Sequence, residues 1–206
     1  MSTTVTIDEL RSMSRAQRIP CLKAILIDAV EATLDQDAAL FAIGVHEQTV
    51  CHRIAFHMER RWDSMGGMSI DCEYNRDVGR YKEFDFEVTG RKKLFRPDIV
   101  LHERLNGNHN MLAVESKPER GGDAPAANDK KKIERIVEQR PYEYDLGCFL
   151  RFLNGPRRRN AGVIVQFFIK GSQWSESEQF TKVFDEELMA LSFSRKISQS
   201  GNELLA

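Results

Sequence analysis

The stretch "RPDIVLHERLNGNHNMLAVESKPE", Arg96 to Glu119, decides the fold of this chain. Two apolar runs, Ile99–Leu101 and Met111–Val114, flank Asn106-Gly107, a strong short-range signal for a β-hairpin. Asp98 nevertheless opens the first run, and Glu115 and Lys117 close the second. Side chains alternate along a strand, so Glu115 and Lys117 share one side while Leu112, Val114 and Ser116 take the other. In the partner strand Asp98, Val100 and His102 share a face. A two-residue loop at Asn106-Gly107 places Asp98 opposite Glu115, and a four-residue loop, Asn106 to His109, places it opposite Lys117 and diagonal to Glu115. Either register gathers the three charges on one face.

Two carboxylates opposed across a hairpin, with Cβ atoms roughly 5 Å apart, destabilise it unless positive charge sits between them. Magnesium takes few protein carboxylates, keeps several waters and shares its remaining positions with substrate phosphates. Asp98, Glu115 and the neighbouring backbone carbonyl of Ser116 suit it, with manganese as a substitute. Lys117, two residues on, is positioned to orient or deprotonate an attacking water and to neutralise charge in the transition state. The pattern implies cleavage of phosphodiester bonds. Its plain alternative is a salt-bridged edge hairpin, because Pro-Asp and Glu-x-Lys each arise by chance in a sequence of this composition.

Outward from the hairpin, Leu22, Ile25, Leu26, Ala29 and Val30 recur at helical spacing and predict a helix over 20–34, with Pro20 in its first turn. A second helix is expected from about Ile43 to Trp62, striped by Val45, Val50, Ile54, Ala55 and Met58, ended by "SMGG" and carrying Glu47. Residues 68–76 read as a strand, 119–128 as loop, and 129–140 as a helix stopped by Pro141. Two further strands, 144–153 and 161–170, surround the basic turn "NGPRRRN", and a last helix is expected over 175–191, before a frayed tail. Nothing in the sequence marks a second domain, so residues 1–206 read as one α/β domain with its core at about 43–169. The expected architecture is a three-layer core, a mixed sheet containing an antiparallel hairpin and flanked by helices.

Pro97-Asp98 and Glu115-Ser116-Lys117, in this order of elements, resemble the PD-(D/E)xK nuclease superfamily and its restriction-endonuclease-like fold. The resemblance covers about residues 43–169. It implies a magnesium-dependent nuclease acting on DNA more than RNA, and it implies that an acidic residue on the helix before the first strand, here Glu47, joins Asp98 and Glu115 at the metal. Two departures are visible: Ser116 stands where an apolar side chain is expected, and Gln139 is followed by Tyr142, one residue short of the Gln-x-x-x-Tyr signature of some exonuclease branches. No branch is therefore assigned. The alternative within the same resemblance is a catalytically silent module that keeps the sheet as a surface for nucleic acid or a protein.

The remaining composition narrows the partners. Thirty basic against 31 acidic residues leave a net charge of −1, so nucleic acid is not held by bulk charge and any contact is local. "RKKLFR", with Arg91, Lys92, Lys93 and Arg96, lies immediately before Pro97-Asp98, where a phosphate backbone would pass. "KKK" at 130–132 and "RRR" at 157–159 read as solvated clusters. His46 and His52 are six apart, pointing about 120° from each other on a helix, and do not clamp one metal. Asp71 and Glu73 share a strand face and could form an acidic pair near the site, but the reading preferred is an edge with alternating charge. Cys21, Cys51, Cys72 and Cys148 are widely spaced and read as reduced thiols. The lack of an apolar run of membrane length and of a secretory pattern at the start suggests a cytoplasmic protein, and a homodimer is admitted as an assembly.

Overall fold

A computed structural model describes residues 5–77, 80–81, 83–86, 91–106, 109–119, 123–140, 142–153, 159–170, 177–187 and 189. The central hairpin forms from β6 (Ile99–Glu103) and β7 (Asn110–Pro118), counting the preceding strands as β1 (Met68–Cys72) and four short ones, β2 to β5, between Arg76 and Leu94. Strands β8 (Leu146–Leu153), β9 (Asn160–Phe168) and β10 (Ser177–Val183) follow. Six of these make one sheet in the order β1-β6-β7-β8-β9-β10. The β7–β8 pair is parallel and all the others antiparallel, so the sheet is mixed. Its one parallel step needs a crossover, which α5 (Asp123–Glu138) supplies.

Helices cover both faces. On one side α1 (Ile7–Ser12), α2 (Arg15–Gln36), α3 (Ala38–Ile43) and α4 (Glu47–Glu59) bury Leu22, Leu26, Phe41 and Ile54 against Ile99, Leu101, Leu112 and Val114. On the other, Ile133, Ile136 and Val137 of α5 pack on Val100, Ala113 and Phe149. The alternation of β6 and β7 therefore feeds two apolar layers, and this is why both strands read as nearly continuous apolar runs. Among the described residues no helix is long and apolar enough to cross a membrane.

Several boundaries differ from expectation. The first long helix begins at Arg15, where Ser14 and Gln17 form a reciprocal capping box, so Pro20 lies in the second turn rather than the first. The carbonyl it leaves unpaired, on Ala16, belongs to an exposed residue and is open to water. The helix expected over 43–62 is broken: α3 ends at Ile43, Gly44 takes the left-handed conformation (φ 61°, ψ 55°), and α4 starts afresh at Glu47. The loop expected over 119–128 is helical from Asp123 onward, and Pro125 fits because first-turn amides have no helical partner. The helix expected over 175–191 is overturned for its first part. Residues 177–183 form the edge strand β10, where backbone pairing to β9 and inward placement of Phe180 outweigh the helical preference of Glu178 and Gln179.

The tight two-residue loop is absent, since β6 ends at Glu103 and β7 begins at Asn110. A bulge between Leu101 and His102 shifts the register, and beyond it Ile99 pairs with Val114. The ladder ends at that pair: Asp98, one residue before β6, donates its N–H to the Val114 carbonyl and turns its carboxylate to Ser116, so neither expected register describes it.

Candidate acidic site at the β6–β7 hairpin

Asp98 sits just before β6 and is fixed by its backbone. Its N–H donates to the Val114 carbonyl at 2.9 Å, and its carbonyl accepts from the Glu73 N–H at 3.1 Å. The carboxylate Oδ2 accepts twice from one residue, from the backbone N–H and from the Oγ of Ser116, each at 2.7 Å. Among the described residues Oδ1 has no hydrogen-bond donor. Burial raises the Asp98 pKa above the ordinary carboxylate value, and the two Ser116 bonds oppose that rise only in part.

Glu115 projects toward the α5 side and is 5% exposed. No hydrogen bond or ion pair reaches it from the described residues. Burial, and then repulsion from Asp98, push its pKa well above the ordinary range, although Lys132 and Lys117 lie close enough to pull the other way. Each of the two carboxyls thus resists ionisation, chiefly through burial and secondarily through its acidic neighbours.

Lys117 reaches across the mouth of this pair. Its Nζ stands 3.4 Å from Glu47 Oε1 and 3.5 Å from Asp129 Oδ2, and Lys132 also contacts Asp129. Partial burial works against the ammonium, but Asp129, Glu47 and Asp98 together hold its pKa above the usual lysine value. Glu47 arrives here as the first residue of α4, delivered by the Gly44 break, with His46 capping the helix by accepting from the Gln48 N–H at 3.3 Å. The structure therefore brings Asp98, Glu115, Lys117, Glu47 and the Ser116 side chain into one neighbourhood.

Asp129 and Lys132 were not among the sequence candidates. Both belong to the "DKKK" segment, which reads as solvated until α5 is folded over β7 and β8; no local signal identifies them. Cys51 of α4 was likewise missed. Its Sγ lies 3.1 Å from Ser116 Oγ, and burial pushes the thiol pKa far up, so it is a neutral thiol at the back of the site.

The basic candidates divide. Arg91, Lys92 and Lys93 lie on β5 (Arg91–Leu94), which pairs with β4 (Glu83–Phe86) as a separate ribbon; their side chains fall outside the described ones. Arg96 is half exposed and its Nε pairs with Glu73 Oε2 at 2.6 Å, beside the Gln48 bond to the same carboxylate. Asp71 faces Arg104 and His102 instead of joining Glu73, as an edge of alternating charge would. In the triple arginine, 157 and 158 lie outside the described residues and Arg159 is exposed.

Among the described residues no three His, Cys, Asp or Glu side chains converge as a ready-made metal cluster. Two carboxylates do converge, and their donors are hard oxygens, the kind that magnesium and manganese take. One cation between Asp98 and Glu115 would relieve both ionisation penalties, and magnesium needs no more than one or two protein carboxylates because water fills the rest of its sphere. Comparison of the chain with family models, with curated proteins and with solved structures finds no match.

Proposed function

We propose that the chain hydrolyses phosphodiester bonds in nucleic acid, DNA in preference to RNA, on a restriction-endonuclease-like core of the PD-(D/E)xK type. The observation that carries this reading is the proximity of half-buried Asp98 to buried Glu115, both held above ordinary carboxylate pKa values, with the Lys117 ammonium close to both. Asp98 and Glu115 would hold magnesium, with the Ser116 carbonyl and Glu47 as further oxygen donors. Bound there, the ion would supply Lewis-acid charge to the phosphoryl oxygens.

The chain's own groups do the rest. Because neighbouring carboxylates keep Lys117 protonated at neutral pH, its role is electrostatic: it orients water and offsets charge developing on the phosphate, rather than acting as the base. Glu47 and Asp129 keep that ammonium at the mouth of the site. Water attacks phosphorus and one P–O ester bond breaks; of the water's two protons one ends on the departing oxygen and the other is released from the new phosphate to solvent.

The test is cleavage of labelled single- and double-stranded DNA and RNA with magnesium. Asp98→Asn and Lys117→Met should each lower the rate by about 10²-fold or more while circular dichroism stays native. Undiminished cleavage by both folded variants would remove the mechanism. The engagement of Lys117 by two carboxylates, and of Arg96 by Glu73, favours a second reading, a silent module that binds without cutting. Duplex binding with neither cleavage nor heat on manganese titration would select it.

A further inference from the structure

Ser116 is the residue whose chemistry is least expected at its position. It lies on the α4-facing side of β7, in line with Leu112 and Val114, and is fully buried among apolar neighbours. A buried hydroxyl left unpaired is destabilising, so one kept there needs partners. It has two: it donates to Asp98 Oδ2 at 2.7 Å, and the Cys51 thiol lies 3.1 Å away, able to donate to it. The backbone N–H of the same residue also donates to Oδ2 at 2.7 Å. One oxygen of Asp98 is thus saturated by the protein, and the carboxylate plane is fixed by two donors from one residue.

We infer that the chain Cys51–Ser116–Asp98 is a positioning device, in which the Ser116 hydroxyl fixes the rotation of Asp98 so that only Oδ1 is offered as a ligand oxygen. The inference rests on the proposed magnesium site and adds a residue to it. Carboxylates that bind metals are themselves held by hydrogen bonds from behind, and losing such a partner costs about 10- to 100-fold in metal affinity or activity. A bare aspartate at this place could turn to bind through both oxygens or swing away, and either motion would disturb its relation to Glu115. Burial of the Cys51 thiol keeps it neutral and protonated, which directs its hydrogen toward Ser116 and leaves the serine hydrogen for Asp98.

The experiment compares Ser116→Thr with Ser116→Val in the full chain. The two side chains have the same shape, so any crowding by the added atoms is shared, and only the hydroxyl differs. Manganese affinity is measured by calorimetry and by the electron paramagnetic resonance signal of the free ion, with thermal unfolding as the check on folding. Ser116→Thr should bind manganese about 10- to 100-fold more tightly than Ser116→Val, and cleavage should follow the same order. If neither folds, Ser116→Ala removes the hydroxyl without crowding and should lose affinity by a similar factor relative to the unsubstituted protein. Equal affinity in the hydroxyl-bearing and hydroxyl-free proteins overturns the positioning role and leaves the proposed function standing. Failure of the unsubstituted protein to bind manganese, with no cleavage, overturns both.

Discussion

Glu115 is buried at 5% exposure with a neighbouring carboxylate, an environment that disfavours its charged form. Its folded pKa is raised, so the native state favours the protonated carboxyl. The stability associated with the neutral form is fully present below the unfolded value of about 4.3 and is lost as pH rises through the folded pKa. Glu115→Gln removes that ionisation at nearly constant shape. The variant should therefore melt at a higher temperature than the parent at pH 8, with the gap closing toward pH 4. A 1 kcal/mol difference corresponds to roughly 2–4 °C in a chain of this size. Magnesium at pH 8 should narrow the gap by stabilising only the parent. A gap that stays constant with pH would mean the carboxyl is hydrated and the pairing with Asp98 is not felt. The closeness of Glu115 to Lys117 is legible from strand alternation, and Glu47 from its place on the nearest upstream helix, whereas the turn of the Asp98 carboxylate toward Ser116 is not, because Asp98 lies just outside the β6 ladder. Asp129 and Lys132 were not legible either, because their approach to Lys117 depends on how a crossover helix settles.

At the scale of elements, that settling turns on Gly147. The α5 backbone lies so near β8 that a Cβ at this position would stand 2.5 Å from Ile133 Cγ2 and 3.4 Å from Phe168 Cβ. Ile133 Cγ2 hangs directly on its own Cβ and has no flexible reach, so the helix itself must give way. Gly147→Ala should cost about 1–3 kcal/mol, as crowded cores do. Because Asp129 rides one turn before Ile133, the same change should also reduce cleavage; urea unfolding and activity measured together would register both. Full stability with full activity would place α5 farther from the sheet than described. This close approach has no trace in the sequence beyond a glycine inside an apolar run. The early start of α5 was hidden for a different reason, since Gly, Pro and Asn around residue 125 look like loop until the first turn is recognised as the place that tolerates proline. The 177–183 strand was hidden by residues of good helical propensity, overruled by an open edge on β9.

At the scale of the whole molecule, a chain of net charge −1 has no global attraction for a polyanion. On the proposed function, binding rests on local cations, and Arg91, Lys92, Lys93 and Arg96 are the ones that precede Asp98 directly in the sequence. Four such contacts correspond to a slope of about −3.6 in log affinity against log salt for duplex DNA. Fluorescence anisotropy across a salt series would measure it, and a slope near −8 would reveal a much larger basic footprint. The mixed sheet flanked by helices follows from the two apolar faces of β6 and β7, whereas the strand order needed the structure, because only the β7–β8 step is parallel. That single step also sets a timetable. During synthesis from the N-terminus, the β6–β7 hairpin can close early, but β7 keeps a bare edge until residue 146 and its successors emerge. The hairpin alone already brings Glu115 near Asp98, but the burial that raises its pKa most waits for α5 and β8 to cover that face.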